Sequence, residues 1–341
     1  MFLKTIHHNY KLLITSLLLL LFTSFVQAQK RTAFDLLTPS EGATITLELD
    51  LTELINSKHT NQYFPGAITT PDGKMMKVEV RPRGKFRRRT CETPPLKLKF
   101  SKKDLRAAQL DTFNEVKMVI PCFNDPQGEE LLLREYVAYR MYEQLSPYSV
   151  RARLVRVIFR DRHVEQDRAP VYCLMLEHKE QLEARLNGHI TSLFEVPDDS
   201  LQTDQTALMI MFQYMIGNTD WSLADGRNLY MLLEKGSNRY RTIPYDFDFS
   251  GLVSAPYAVP NSETGIKKVQ QRYMIAGHIP KEALQQASRL IESKRLDLLE
   301  WCNKPYMPKN IAKGMTTYLE SFFQLLQEKS IEQLRPKGDL R

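Results

Sequence analysis

Apolar and polar residues alternate along most of the first half of the chain, then change to a helical period in the second. Residues 46–52 read TLELDLT and place Leu47, Leu49 and Leu51 on one face, which predicts a half-buried strand. Pro71-Asp72-Gly73 marks a turn before a strand predicted over Met76–Arg83. Leu96–Phe100 (LKLKF) alternates again, with Leu96, Leu98 and Phe100 on one face and Lys97 and Lys99 on the other. Val116–Ile120 reads as a buried strand. A helix follows: Asn124 or Asp125 can cap it, and Glu129 and Glu130 suit its first turn. Leu132, Leu133, Tyr136, Val137 and Tyr139–Met141 carry its period. Val150–Phe159 and Pro170–Leu176 predict two more strands.

The second half is mainly helical. Thr206–Ile216 is a strongly apolar helix running into Gly217, and Asn228–Leu233 is a strand-like apolar run. Arg241–Pro244 leads into Tyr245-Asp246, while Lys281–Leu299 and Ile311–Leu334 read as amphipathic helices. A boundary near Glu177–Glu183 separates a strand-rich part with one inserted helix, 29–180, from a helical part, 181–341. The fold class expected is α+β.

The first 28 residues change the length that has to fold. Lys4 and Lys11 give a basic start, Leu12–Val26 is apolar but short for a membrane span, and Val26-Gln27-Ala28 offers small residues for a signal peptidase. Cleavage near Ala28 predicts a periplasmic or secreted protein with no stable membrane span. The formal charge falls from +7 to +5 because two lysines and no acid leave with the segment. Of the four cysteines, Cys91, Cys122, Cys173 and Cys302, none forms a CxxC pair, which argues against a zinc site. An oxidising compartment permits disulfides, and of the three pairings Cys91–Cys122 is preferred because both lie in the first half.

Candidate chemistry concentrates at 217–251, which reads GNTDWSLADGRNLYMLL and then, after a short connection, IPYDFDFSG. Asp220 stands in a tight Gly-Asn turn at the end of a buried helix, Asn228 begins the next strand, and Asp246 and Asp248 follow the apolar run after it. A carboxylate to orient a nucleophile, with an amide and further carboxylates as oxygen ligands for Mg²⁺ or Mn²⁺, is what metal-assisted phosphoryl transfer requires. Singly, each residue reads as a turn former or a solvated acid; together, in this order between apolar runs, they read as a site.

The segment 206–252 resembles the CotH-like kinases, a spore-coat and secreted branch of the atypical kinases, in its Gly-Asn-x-Asp loop, downstream Asn and Tyr-Asp-Phe-Asp segment ending in Gly. The resemblance implies a two-lobed atypical protein-kinase-like fold, with Asp220 as the catalytic carboxylate and Asn228 and Asp246 as metal ligands; Asp248, two residues after Asp246, would point the same way in extended backbone and is a second ligand candidate from its spacing. The resemblance also implies ATP as the nucleotide and a protein hydroxyl as acceptor. The chain departs from the pattern at Trp221 and Ser222, where related kinases carry His or Arg.

A site of this kind needs a strand lysine against the phosphates and a helix carboxylate to hold it. Lys97 and Lys99 are the strand candidates and Glu135 the helix candidate. Arg83-Gly84, within the basic run Arg81–Arg89, could approach phosphate or hold another anionic partner. Glu177 would border the nucleotide base where the lobes join. Export, and a single aromatic among the charges of that run, argue against nucleic acid. Two expectations follow: a secreted phosphotransferase using ATP and Mg²⁺ or Mn²⁺, or a catalytically silent relative that binds an anionic partner at the envelope.

Overall fold

Seven strands of the first half close into a barrel. The computed structural model describes residues 30–164, 169–191 and 196–336; the expected targeting segment Met1–Ala28 and the tail after Pro336 lie outside them. After a short helix α1 (Ala33–Leu37) come β1 (Ala43–Leu49), α2 (Leu51–Asn56), β2 (Phe64–Thr69), β3 (Met75–Pro82), the one-turn α3 (Arg87–Thr90), β4 (Leu96–Phe100), α4 (Lys102–Ala107) and β5 (Glu115–Val119). The long α5 (Pro126–Leu145) and strands β6 (Ala152–Asp161) and β7 (Val171–Leu176) complete this half. The barrel order is β1-β2-β3-β4-β5-β7-β6, closed by parallel pairing of β1 with β6 from Ala43↔Val155 to Leu49↔Asp161. Its interior is apolar, with Ile45, Leu47, Ile68, Val80, Leu98 and Met118 almost fully buried.

The strand expected over 46–52 stops at Leu49, because the Asp50 carboxylate accepts from the Glu53 amide and starts α2. Strand β2 has no counterpart in the expectation: its Phe-Pro-Gly start reads as a chain breaker. In the barrel Gly66 is required there, since a Cβ would lie 2.8 Å from the Glu48 carbonyl oxygen.

Helix α5, capped by Asp125, whose carboxylate accepts from the Gly128 amide, does not pack inside the barrel. Tyr136, Val137, Met141 and Tyr142 join a second core shared with the helical half. That half holds α6 (Lys179–Arg185), β8 (Gly188–Thr191), the apolar α7 (Thr203–Ile216), and β9 (Leu229–Glu234) with β10 (Tyr240–Pro244), which form a three-stranded sheet with β8. The helix expected over 281–299 is two, α8 (Lys281–Ser293) and α9 (Arg295–Glu300). The one expected over 311–334 is also two, α10 (Lys309–Glu328) and α11 (Ile331–Leu334), the latter started by a Ser330 capping box. The architecture is mixed α+β, with a barrel and a helical part, and the described residues from Thr32 onward form one compact unit. No helix among the described residues is long and apolar enough to cross a membrane.

Candidate functional site

Helix α7 ends at Gly217, whose left-handed φ of 64° turns the chain sharply. A side chain there would also collide with the Tyr318 hydroxyl, 2.0 Å from a Cβ position. Asn218 then builds the loop: its side-chain oxygen accepts from the Asp220 amide at 3.0 Å and its amide group donates to Gln213 Oε1 at 3.0 Å. Trp221 is buried and donates its indole N–H to the Asn218 carbonyl at 3.2 Å. Trp221 therefore fixes the loop from within the core.

Two backbone hydrogen bonds tie this loop to the Asp-Phe-Asp segment: Gly251 N donates to Gly217 O at 3.0 Å and Leu252 N to Ile216 O at 2.9 Å. Phe247 is buried against Tyr139 and Phe212, with ring centroids 4.7 and 5.6 Å away. Anchoring the middle residue leaves its two flanking aspartates to face the site. Asn228 and Asp246 both adopt left-handed backbone, with φ of 55° and 64°. Such a conformation costs non-glycine residues about 1 kcal/mol and recurs at functional sites. The Asn228 amide donates to the Asp220 carboxylate at 2.9 Å and to its carbonyl at 2.6 Å, and the Asp246 amide donates to the Tyr139 hydroxyl at 2.8 Å.

A cavity of about 640 Å³ opens where these loops meet β5, α3 and the turn at Gly84, and Asp220, Asn228, Asp246, Asp248 and Arg83 all line it. Burial pushes the Asp220 carboxyl up to about 6; Arg227, 3.7 Å away, opposes the rise, and the charges of Asp246 and Asp248 add to it. Arg227, seven residues downstream, is thus a cation beside Asp220. Burial, then the charge of Asp248, raises Asp246, whose side chain is half open to the cavity.

Asp248 is placed differently. Its buried carboxylate accepts from Arg87 Nε at 2.9 Å and from the Tyr257 hydroxyl at 3.1 Å. Arg87 also donates to Glu135 at 2.6 Å and lies 3.7 Å from Asp246. Glu135 is therefore at the site, but its partner is an arginine from the basic run rather than a strand lysine.

Lys97 and Lys99 do not line the cavity. Lys97 is 2.6 Å from Glu115 and Lys99 is 3.0 Å from Glu79, both pairs on the polar face of the strands. The lysine at the site is Lys117 of β5, within a run whose pattern predicts only a buried strand. Its ammonium donates to the Tyr230 hydroxyl at 2.9 Å, and Tyr230 stacks on Tyr245 at 4.3 Å, both rings lining the cavity. Burial pulls Lys117 down to about 7, and the nearby charges of Arg83 and Lys97 pull the same way. A single lysine in an alternating strand carries no mark that separates it from Lys97, its direct partner on the same face of β4; the loops that pack against that face decide which one lines the cavity.

Glu177 is also elsewhere. It is buried, 3.0 Å from Arg151 and 2.9 Å from Arg185, while its neighbour Leu176 lines the apolar end of the cavity with Val119 and Val150. The basic run is only partly available. Arg88 is tied to the Lys58 and Thr60 carbonyls and to Asn61, Arg81 stacks over Tyr63, and Arg87 is engaged by carboxylates. Arg83 and Lys85 remain at the cavity. Cys91 and Cys122 are disulfide-bonded, and Cys173 and Cys302 are buried thiols.

Among the described residues no group of three His, Cys, Asp or Glu side chains could hold a metal alone. The donors at the cavity are the Asp246 carboxylate and the Asn228 amide oxygen, since the amide nitrogen is engaged by Asp220. Two oxygen donors fit a Mg²⁺-type ion completed by substrate phosphates rather than a protein cage.

No family model matches the chain, and no curated protein matches it significantly. Among solved structures it is similar to the Helicobacter pylori proinflammatory kinase CtkA. The identity is 12%, the match covers 62% of this chain and 86% of that one, and the TM-score is 0.38. A likeness of that degree decides neither fold nor reaction.

Proposed function

We propose that the cavity binds a nucleoside triphosphate and that the protein is a kinase-like phosphotransferase of two-lobed design, moving the γ-phosphoryl to a protein hydroxyl. One observation carries this reading. A carboxylate held near neutrality, an amide and a second carboxylate open to the cavity, and the cations Lys117 and Arg83 all line one space that has an apolar end. Stacked Tyr230 and Tyr245, with Val119, Val150 and Leu176, offer surface for a base, while Lys117, Arg83 and Lys85 offer charge for phosphates.

In the reaction the acceptor oxygen bonds to the γ-phosphorus as the bond to the β–γ bridging oxygen breaks, releasing the nucleoside diphosphate. Asp220 orients the hydroxyl and takes its proton; a carboxylate with a value of about 6 retains it more readily than an ordinary aspartate. Asp246 and Asn228 would hold Mg²⁺ or Mn²⁺, which when bound neutralises charge on the phosphates. Arg83 adds a fixed positive charge, and Lys117 adds a second one that a bound phosphate would favour. The Cys91–Cys122 bond supports a periplasmic or secreted location.

The catalytically silent alternative has one observation in its favour: Arg87 already lies against Asp248 and Asp246 as a resident cation. Incubation with γ-labelled ATP and Mn²⁺ separates the two readings. Transfer of label by wild type, reduced at least about 1,000-fold in both Asp220→Ala and Asp246→Asn, is expected of the kinase. Nucleotide binding without transfer supports the silent form, label only from the α-phosphate indicates nucleotidylation, and no binding at all sinks the proposal.

A further inference from the structure

We infer that Arg87 is a positioning residue for the metal–nucleotide complex, acting through Glu135 and Asp248 so that Asp246 alone is presented as the cavity's metal-binding carboxylate. This rests on the nucleotide-binding reading above.

Three observations converge. First, no lysine is within ion-pair reach of Glu135 among the described residues, and Arg87 is the cation that meets its buried carboxylate, at 2.6 Å. Second, the guanidinium uses two edges, Nη2 toward Glu135 and Nε toward Asp248 at 2.9 Å, so one rigid fork spans carboxylates from α5 and from the 246–251 loop. A lysine offers a single point charge and cannot reproduce that span. Third, the segment carrying Arg87 is held on both sides. Phe86 packs on Phe249 and Tyr257 with centroids 5.2 and 5.6 Å away, and Cys91, immediately after α3, is bonded to Cys122 beyond β5.

The consequence is a division of labour between two aspartates in an Asp-Phe-Asp run. Asp248, with both Arg87 and the Tyr257 hydroxyl on its carboxylate, is structural. Asp246, 3.7 Å from the same guanidinium and half open, is oriented toward the cavity without being closed off. The expectation that Asp248 serves as a second metal ligand is replaced by this arrangement.

The test is ATP binding to the full mature protein, followed by a fluorescent ATP analogue, once in EDTA and once in Mn²⁺. Wild type is expected to bind more tightly with Mn²⁺. Arg87→Met should lose at least about tenfold of that Mn²⁺-dependent gain while its affinity in EDTA, set by Lys117 and Arg83, changes less than about twofold. Arg87→Lys should not restore the gain, and Asp248→Asn should reproduce the loss; if Arg87→Met fails to fold, Asp248→Asn and Glu135→Gln carry the test. Equal losses with and without Mn²⁺ would mean that Arg87 contacts phosphate directly and would overturn the positioning role. An intact Mn²⁺ gain in Arg87→Met would overturn it too. Wild type that binds no nucleotide in either condition removes the parent reading and this inference with it.

Discussion

Lys97 and Lys117 stand directly opposite each other on adjacent strands β4 and β5, and so project from the same outer face of the barrel, yet their surroundings differ: a polar cluster for one, the cavity for the other. Lys97 lies outside the cavity and is neutralised by Glu115, which also meets His178 at 2.9 Å. Lys117 faces the cavity, with a tyrosine hydroxyl for its hydrogen bond and no carboxylate within ion-pair distance among the described residues. The same side chain, one strand apart, is a structural ion in one place and an unneutralised charge in the other. A cation already paired has little left to offer a phosphate; one held without a counter-ion gains one when a phosphate arrives.

The comparison can be broken most directly at Lys117. Lys117→Met should weaken ATP binding by about 10–100-fold, the range expected for removing a charge-assisted contact of about 1.5–3 kcal/mol. Lys97→Met should change it less than about twofold. Equal effects in a titration of the two variants would erase the distinction between the regions.

A smaller effect is expected from pH. Free Lys117 loses its proton near pH 7, whereas a bound phosphate favours the charged form and raises the value in the complex. Affinity should therefore be full below about pH 7 and fall by up to about tenfold per pH unit above it, until the value in the complex is passed. Lys117→Arg, charged throughout, should flatten this dependence, and calorimetry in buffers of different ionisation heat should show proton uptake on binding only when lysine is present.

The smallest effect concerns the Lys97 cluster. Lys97→Met should lower stability by no more than about 0.5–1 kcal/mol in urea denaturation, because its pair is partly exposed and water replaces much of the interaction. A larger loss would show that the Glu115 cluster is a structural keystone instead of a surface pair.

Much of the site was legible along the chain because its loops are local. Gly217, Asn218 and Asp220 form one turn whose hydrogen bonds span a few residues, and Asp246 and Asp248 flank a buried phenylalanine. Patterns of that length are governed by backbone conformation and by the change from apolar run to polar loop, both of which a sequence displays. The strand at Leu96–Phe100 and the long helix capped by Asp125 were readable for the same reason.

The cationic half of the site was not legible in this way. Glu135 meets Arg87, 48 residues before it, and Arg87 meets Asp248, 161 residues later. Several basic residues within Arg81–Arg89 look alike in sequence, yet Arg87 is enclosed by acids, Arg88 is bound to carbonyls, and Arg83 faces the cavity. The sequence by itself determined the alternation that makes strands, the loop chemistry around Asp220 and Asp246, and the α+β character. The tertiary structure decided that the strands close into a barrel, that Lys117 rather than Lys97 or Lys99 reaches the cavity, and that an arginine takes the helix carboxylate. The reason is physical: whether a charged side chain meets a counter-ion, a ring or open space depends on which distant segments fold against it, and a local pattern of polar and apolar residues is the same in every case.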